Sequence, residues 1–220
     1  GKITKWNDKA LQDLNADQPL PDVAINPVFR EDPSGTSFIF TDYLSKVSDE
    51  FKTKVGAKTE PNWPSVGIKK PKSDGVAGHV TATNGAIGYI ELTYALDKKA
   101  KFGAVVNQSK KPVLASLESI TAAAAASLDL KQTAEPYSLH DLTYNLTNAP
   151  GENSYPIAGM SFAVLYQKQS GAKGKAVVDF LKWATSADAQ AIASKRNYAP
   201  LPAELQKKCA EKLGTVEVAQ

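Results

Sequence analysis

Apolar positions along the chain follow two rhythms, short apolar runs bounded by turn residues and longer stretches with apolar residues three and four apart. Asn7 to Leu14 predicts a short helix, with Asn7 as its N-cap and Ala10, Leu11 and Leu14 on one face. The run Val23-Ala24-Ile25-Asn26-Pro27-Val28-Phe29 predicts a strand. Beyond a polar turn, Phe40, Leu44, Val47 and Phe51 share one helical face. Ala57 to Lys72 is rich in Pro, Lys and Gly and reads as a surface loop. Ser73-Asp74 is placed to cap a short helix through Val80, and Asn84-Gly85 to turn the chain into a strand over Ala86 to Ile90. Val113 to Leu128 predicts a helix. Thr133 to Gly151 is polar, with weak alternation from Leu142 to Leu146. Met160 to Tyr166 has the clearest strand pattern, and helices are expected over Lys173 to Trp183, Ser186 to Arg196 and Ala203 to Leu213. Strands alternating with helices give an α/β fold class, without internal repeats.

Composition narrows the function classes. The 220 residues are 42% hydrophobic and 22% charged, with a formal net charge of +3. That charge is too small to argue for nucleic acid, and no basic run is interleaved with aromatic residues. Lys69-Lys70-Pro71-Lys72 reads as a solvated loop. No stretch approaches the roughly 18 consecutive apolar residues of a membrane span. Cys209 is the single cysteine, so no disulfide framework exists, and it reads as a buried or bystander thiol. His79 and His140, the two histidines, have no metal-ligand spacing to cysteine or carboxylates and read as ordinary helix or loop residues. No metal or cofactor is expected. Trp6, Trp63 and Trp183 are expected to pack cores, and Glu91 reads as a surface carboxylate that could border a cleft.

Chemistry concentrates in Phe29-Arg30-Glu31-Asp32-Pro33-Ser34-Gly35-Thr36-Ser37-Phe38. A tetrahedral oxyanion needs convergent donors, little steric bulk and positive potential. A helix N-terminus supplies free amides and the positive end of its dipole. Gly35 lets the backbone approach closely, Ser34 and Thr36 add hydroxyls, and Arg30 offers a planar fork for two oxygens. Asp32 is placed to orient the guanidinium. The same Ser-Gly-Thr run also serves as a simple N-cap before an amphipathic helix, and spacing alone does not separate the two readings.

The run Arg30-x-Asp32-x-Ser34-Gly35-Thr36-Ser37-Phe38, followed by Phe40-Thr41-x-Tyr43-Leu44, resembles the periplasmic phosphate-binding proteins of phosphate ABC transporters, the PstS family. Gly1-Lys2-Ile3-Thr4-Lys5-Trp6-Asn7-Asp8, Trp63-Pro64, Asp74-Gly75-Val76-Ala77, Gly85 to Glu91 and Tyr155-Pro156-Ile157 match its pattern in the same order. The resemblance implies a periplasmic-binding-protein-like fold of the class II type, with one near-complete lobe and the C-terminal part of the other. It implies that residues 1–155 form the second lobe, and that residues 156–220 cross back to complete part of the first. Inorganic phosphate would be held in the inter-lobe cleft by Arg30, Ser34, Gly35 and Thr36. Asp32 would brace Arg30, and Ser37 would support the set from behind.

The resemblance further implies an ABC permease as partner, a periplasmic or extracellular location, and no catalytic residue. The family has a further N-terminal segment, expected here as a separate chain, as clipped away, or as an exchange between two copies. That segment would carry the carboxylate that accepts the proton of phosphate, because the donors seen here do not by themselves separate phosphate from sulfate. Without it, the strand over Phe162 to Tyr166 and the helix around Phe180, Leu181 and Trp183 are expected to lack neighbours. A phosphatase reusing the cradle is a rival, although no metal cluster or base accompanies Ser34 or Thr36. A signalling or adhesion module of the same fold is another.

Overall fold

Val28, only 1% exposed, lies on the middle strand of a three-stranded parallel sheet in a computed structural model that describes residues 1–64, 66–128, 130 and 142–219. The chain forms two compact units, Gly1–Phe102 and Gly103–Gln220. The 155/156 boundary expected for the lobes falls inside the second.

In the first unit, α1 (Lys9–Gln12) is capped by Asp8, whose carboxylate accepts from the Ala10 amide at 2.9 Å, rather than by Asn7. The strand expected from Val23 narrows to β1 (Asn26–Arg30), preceded by an isolated bridge between Lys5 and Ala24. Helix α2 (Gly35–Val47) follows, and then α3 (Asp49–Lys54). The single helical face predicted through Phe51 is therefore broken at Ser48. That residue is extended, and its hydroxyl accepts from the Phe51 amide to start α3. The break leaves Val47 exposed.

The loop expected over Ala57 to Lys72 contains β2 (Ile68–Lys70), paired parallel to β1 with Val28 opposite Ile68. Lys69 and Lys70 disguise it, because lysines are what an edge strand carries to discourage further pairing. Helix α4 (Lys72–Ala82) starts without a side-chain cap, so Ser73-Asp74 does not cap it as expected. Strand β3 (Ala86–Gly88) pairs with the other side of β1, and α5 (Leu92–Asp97) follows. The order β2-β1-β3 makes β1 central, with the chain leaving it to one side and later returning on the other. In open α/β sheets the crevice outside the carboxyl end of such a strand is where ligands sit. Arg30 is the last residue of β1.

The second unit begins with a short antiparallel pair, β4 (Val105–Val106) and β5 (Pro112–Val113), and α6 (Leu117–Ser127), which Ser116 and Ser119 close in a capping box. Its core gathers Ala123 and Ala124 of α6 with Tyr144, Leu146, Ala149, Ala158 and Leu205. Cys209 packs against this cluster, and burial pushes its thiol pKa up. The strand expected over Met160 to Tyr166 does not form. A strand needs a neighbour for its amides and carbonyls, and among the described residues none pairs with this run. Val164 and Tyr166 are 94% and 86% exposed. The nearby pairing is β6 (Lys168–Ser170), which is followed by α7 (Gly171–Ala184), α8 (Ala187–Lys195) and α9 (Ala203–Gly214) and lies parallel to β7 (Glu217–Ala219). Phe180 and Trp183 of α7 touch each other but are largely exposed, so Trp183 does not pack a core as expected. No described helix is long and apolar enough to cross a membrane.

Strand β3 meets α4 where it lacks a side chain. A Cβ at Gly88 would lie 2.7 Å from Val76 Cγ1 and 3.2 Å from the Val28 carbonyl oxygen. Gly88→Ala is expected to destabilise the chain by about 1–3 kcal/mol through this overpacking, read as an earlier urea midpoint.

Candidate functional site

Strand β1 alternates its side chains across the sheet. Phe29 stacks on Trp63 with ring centroids 4.3 Å apart, so Trp63 joins an aromatic layer with Phe40 and Tyr89. The next residue, Arg30, has a side chain only 9% exposed. A guanidinium so enclosed needs a partner. Asp32 supplies one: its Oδ1 accepts from Arg30 Nε at 3.0 Å and its Oδ2 from Nη2 at 2.6 Å. The same Oδ1 accepts the Lys72 amide at 2.8 Å. The guanidinium, and after it the Lys72 amide, hold the Asp32 carboxyl well below the usual carboxylate range. Asp32 in turn holds Arg30 above its ordinary pKa.

Arg30 Nη1 points to the hydroxyl of Ser73, 3.3 Å away and buried. A guanidinium has five N–H donors, so these contacts leave one hydrogen on each terminal nitrogen. The backbone amide of Arg30 donates to the Tyr89 hydroxyl at 3.2 Å, and that hydroxyl lies 2.8 Å from Ser37 Oγ. Tyr89 therefore links the end of β1 to the first turn of α2, and its ring is stacked on Phe40 at 4.5 Å.

The first turn of α2 distributes its polar groups unequally. Ser34 is buried. Its amide is taken by the Thr59 carbonyl at 3.0 Å and its hydroxyl accepts from the Ser37 amide at 3.3 Å, leaving the hydroxyl hydrogen. Gly35 and Thr36 occupy the first two positions of the helix, where an amide has no intrahelical carbonyl to reach. A Cβ added at Gly35 would meet nothing within 4 Å, so the protein's own packing does not require a glycine there. The space in front of it is open. Ser37 is fully buried with its hydroxyl against Tyr89. The Thr36 hydroxyl donates to Glu91 Oε1 at 3.3 Å.

All six residues singled out in the sequence thus lie in the first unit, on β1, α2 and the turn between them. The two ends are joined by the Tyr89 hydroxyl. Sequence reasoning missed Ser73 and Tyr89 as partners and gave Glu91 as a surface carboxylate that could border a cleft. The remaining donors, two amides, a hydroxyl and a charged fork, suit an oxyanion. His79 sits on α4 with Nε2 3.2 Å from the Thr83 hydroxyl, and His140 lies outside the described residues. No group of His, Cys, Asp and Glu able to hold a metal occurs among the described residues.

Residues 1–188 match the family model of a PBP superfamily domain. The chain is 41% identical over 208 residues to the phosphate-binding protein PstS of Xylella fastidiosa, covering 94% of this chain and 55% of that protein. Over 209 residues it is 38% identical to the PstS of Pasteurella multocida, with 94% and 58% covered. Over 219 residues it is 34% identical to the PstS of Methanocaldococcus jannaschii, with 94% and 56% covered. The chain therefore spans a little over half the length of these relatives. A solved high affinity periplasmic phosphate-binding protein, bound with phosphate, superposes with a TM-score of 0.61 at 20% identity over 94% of this chain and 60% of that one. The ancestral soluble variant of the human phosphate binding protein gives 0.60 at 18% identity over 100% and 68%. At these identities the structures speak to the fold, which is the α/β fold of the periplasmic binding proteins.

Asp32 is a third exposed, so solvent screens its pair with Arg30 and the contribution to stability is about 1 kcal/mol. Its carboxyl is depressed on folding, so the contribution is present above the unfolded carboxylate pKa and fades as pH falls through the lower folded value. The stability gap between the parent chain and Asp32→Asn, read by urea denaturation, is expected to be full at pH 7 and to close as the pH drops below about 4.

Proposed function

This chain belongs to the PBP superfamily and, within it, to the PstS family of phosphate-binding proteins, and on that premise we propose that it binds inorganic phosphate through Arg30, Ser34, Gly35 and Thr36. Asp32 and Ser37 hold those groups in place. The observation that carries the reading is the open pair of amides at Gly35 and Thr36, beside a strand end whose buried guanidinium Asp32 clamps. A glycine that packing does not demand, at the mouth of a helix, is explained by close approach of a ligand.

We read the activity as binding without turnover, for delivery to an ABC permease from the periplasm or another extracytoplasmic space. The names of the relatives, phosphate-binding proteins each, support that reading.

Isothermal titration with inorganic phosphate tests it. A charge-assisted hydrogen bond contributes about 1.5–3 kcal/mol, so Arg30→Ala is expected to weaken binding by about 10- to 100-fold. Gly35→Ala separates ligand contact from folding. It should weaken phosphate binding by about tenfold or more while leaving the fold as stable, or more stable by about 0.4–1 kcal/mol, because alanine restricts the unfolded chain. If both variants bind phosphate as the parent does, the assignment fails.

A further inference from the structure

We propose that Tyr89 is a positioning residue for phosphate binding: its hydroxyl fixes the Arg30 fork relative to the amides at the start of α2. The inference rests on the phosphate reading above and adds to it a residue that serves the same site without touching the ligand.

Strand β3 ends at Gly88, opposite Val28 of β1, so Tyr89 emerges beside the end of the central strand. Its hydroxyl accepts from the Arg30 amide at 3.2 Å. Satisfying that amide needs no second bond, yet the same oxygen lies 2.8 Å from Ser37 Oγ in the first turn of α2. One atom thus touches the backbone of β1 and a buried side chain of α2, from 59 and 52 positions away. The ring that carries it is stacked on Phe40 of α2 at 4.5 Å and tilted against Trp63 at 5.8 Å. The oxygen is therefore held in place from the α2 side as well.

The site needs such a tie because its donors come from two elements. The guanidinium stands on the last residue of β1, and the open amides belong to the first two residues of α2. An ion bridging them is gripped by both only while the two sets converge. Binding groups must keep their geometry to within about 0.5 Å, since hydrogen bonds weaken steeply with distance and angle. Asp32 does not set this spacing. It sits on the connecting turn, and its bonds to Arg30 and Lys72 fix the fork against α4. The Tyr89 hydroxyl fixes it against α2.

Isothermal titration with inorganic phosphate compares the full chain with Tyr89→Phe, Ser37→Ala, Arg30→Ala and the double variant Tyr89→Phe/Arg30→Ala. Tyr89→Phe keeps the ring and its stacking, and is expected to weaken binding by about tenfold. Ser37→Ala breaks the same tie from the other end and should weaken it similarly. The decisive measurement is the cycle with Arg30. Without a fork to align, Tyr89→Phe should cost less than about threefold. An equal loss with and without Arg30 would overturn the inference, because it would mark a general loosening of α2. So would affinity that survives both Tyr89→Phe and Ser37→Ala within about twofold, and that result would leave the phosphate reading standing. Val178→Ala is the control for stability alone. It opens a cavity in the second unit and should leave phosphate affinity unchanged. If it weakens binding as much as Tyr89→Phe, the inference fails. A parent that binds no phosphate defeats both readings.

Discussion

One carboxylate organises this molecule's proposed binding region. Asp32 uses both oxygens on Arg30 and still accepts the amide of Lys72. It therefore fixes a guanidinium at the end of β1 and the start of α4 together. Lys72 has φ of 53°, a region that side-chain-bearing residues adopt at a cost of roughly 1–3 kcal/mol. The bond to Asp32 is what holds it there, and it puts the next residue, Ser73, beside Arg30 Nη1. Without Asp32, the arginine would be enclosed without its counter-charge, and the turn into α4 would lose the contact that compensates its strain.

Pairing of this kind has an electrostatic consequence. Because Asp32 cancels the charge of Arg30, this pair adds no net charge with which to attract anions, and the chain as a whole carries only +3. What remains is direction. Hydrogens on the terminal guanidinium nitrogens, the hydroxyl of Ser34 and the amides of Gly35 and Thr36 are preset before any ligand arrives. Preset donors need no reorganisation on binding, which is how a guanidinium already paired with a carboxylate can still serve an oxyanion.

The legibility of this arrangement in the sequence follows the range of each interaction. Arg30, Asp32 and the Ser34 to Ser37 run were readable because they lie within one turn of chain, where a strand end, a glycine and small hydroxyl residues make a local pattern. The partnerships of Ser73, Tyr89 and Glu91 were not, because they join the region across 43, 52 and 55 positions, through pairings that periodicity does not encode. The fold divides along the same line. Helices α7, α8 and α9 emerged close to their expected bounds because three-and-four spacing is local. Strand β2 was hidden because its lysines suit an edge. The opposite error arose at Met160 to Tyr166, where alternation was sound as a pattern. Alternation states which side chains share a face, whereas a strand also requires a second backbone, and none of the described residues provides one.

Thr36 brings these threads to one residue. Its amide is a donor by virtue of its place in α2, and nothing about a ligand's protonation alters that. Its hydroxyl is different, since the direction of its hydrogen bond depends on whether Glu91 holds the hydrogen. With Glu91 holding that hydrogen, the hydroxyl presents lone pairs while the amide donates, so two atoms of one residue offer opposite polarities at the helix start, one governed by backbone geometry and the other by a side chain from the N-terminal end of α5.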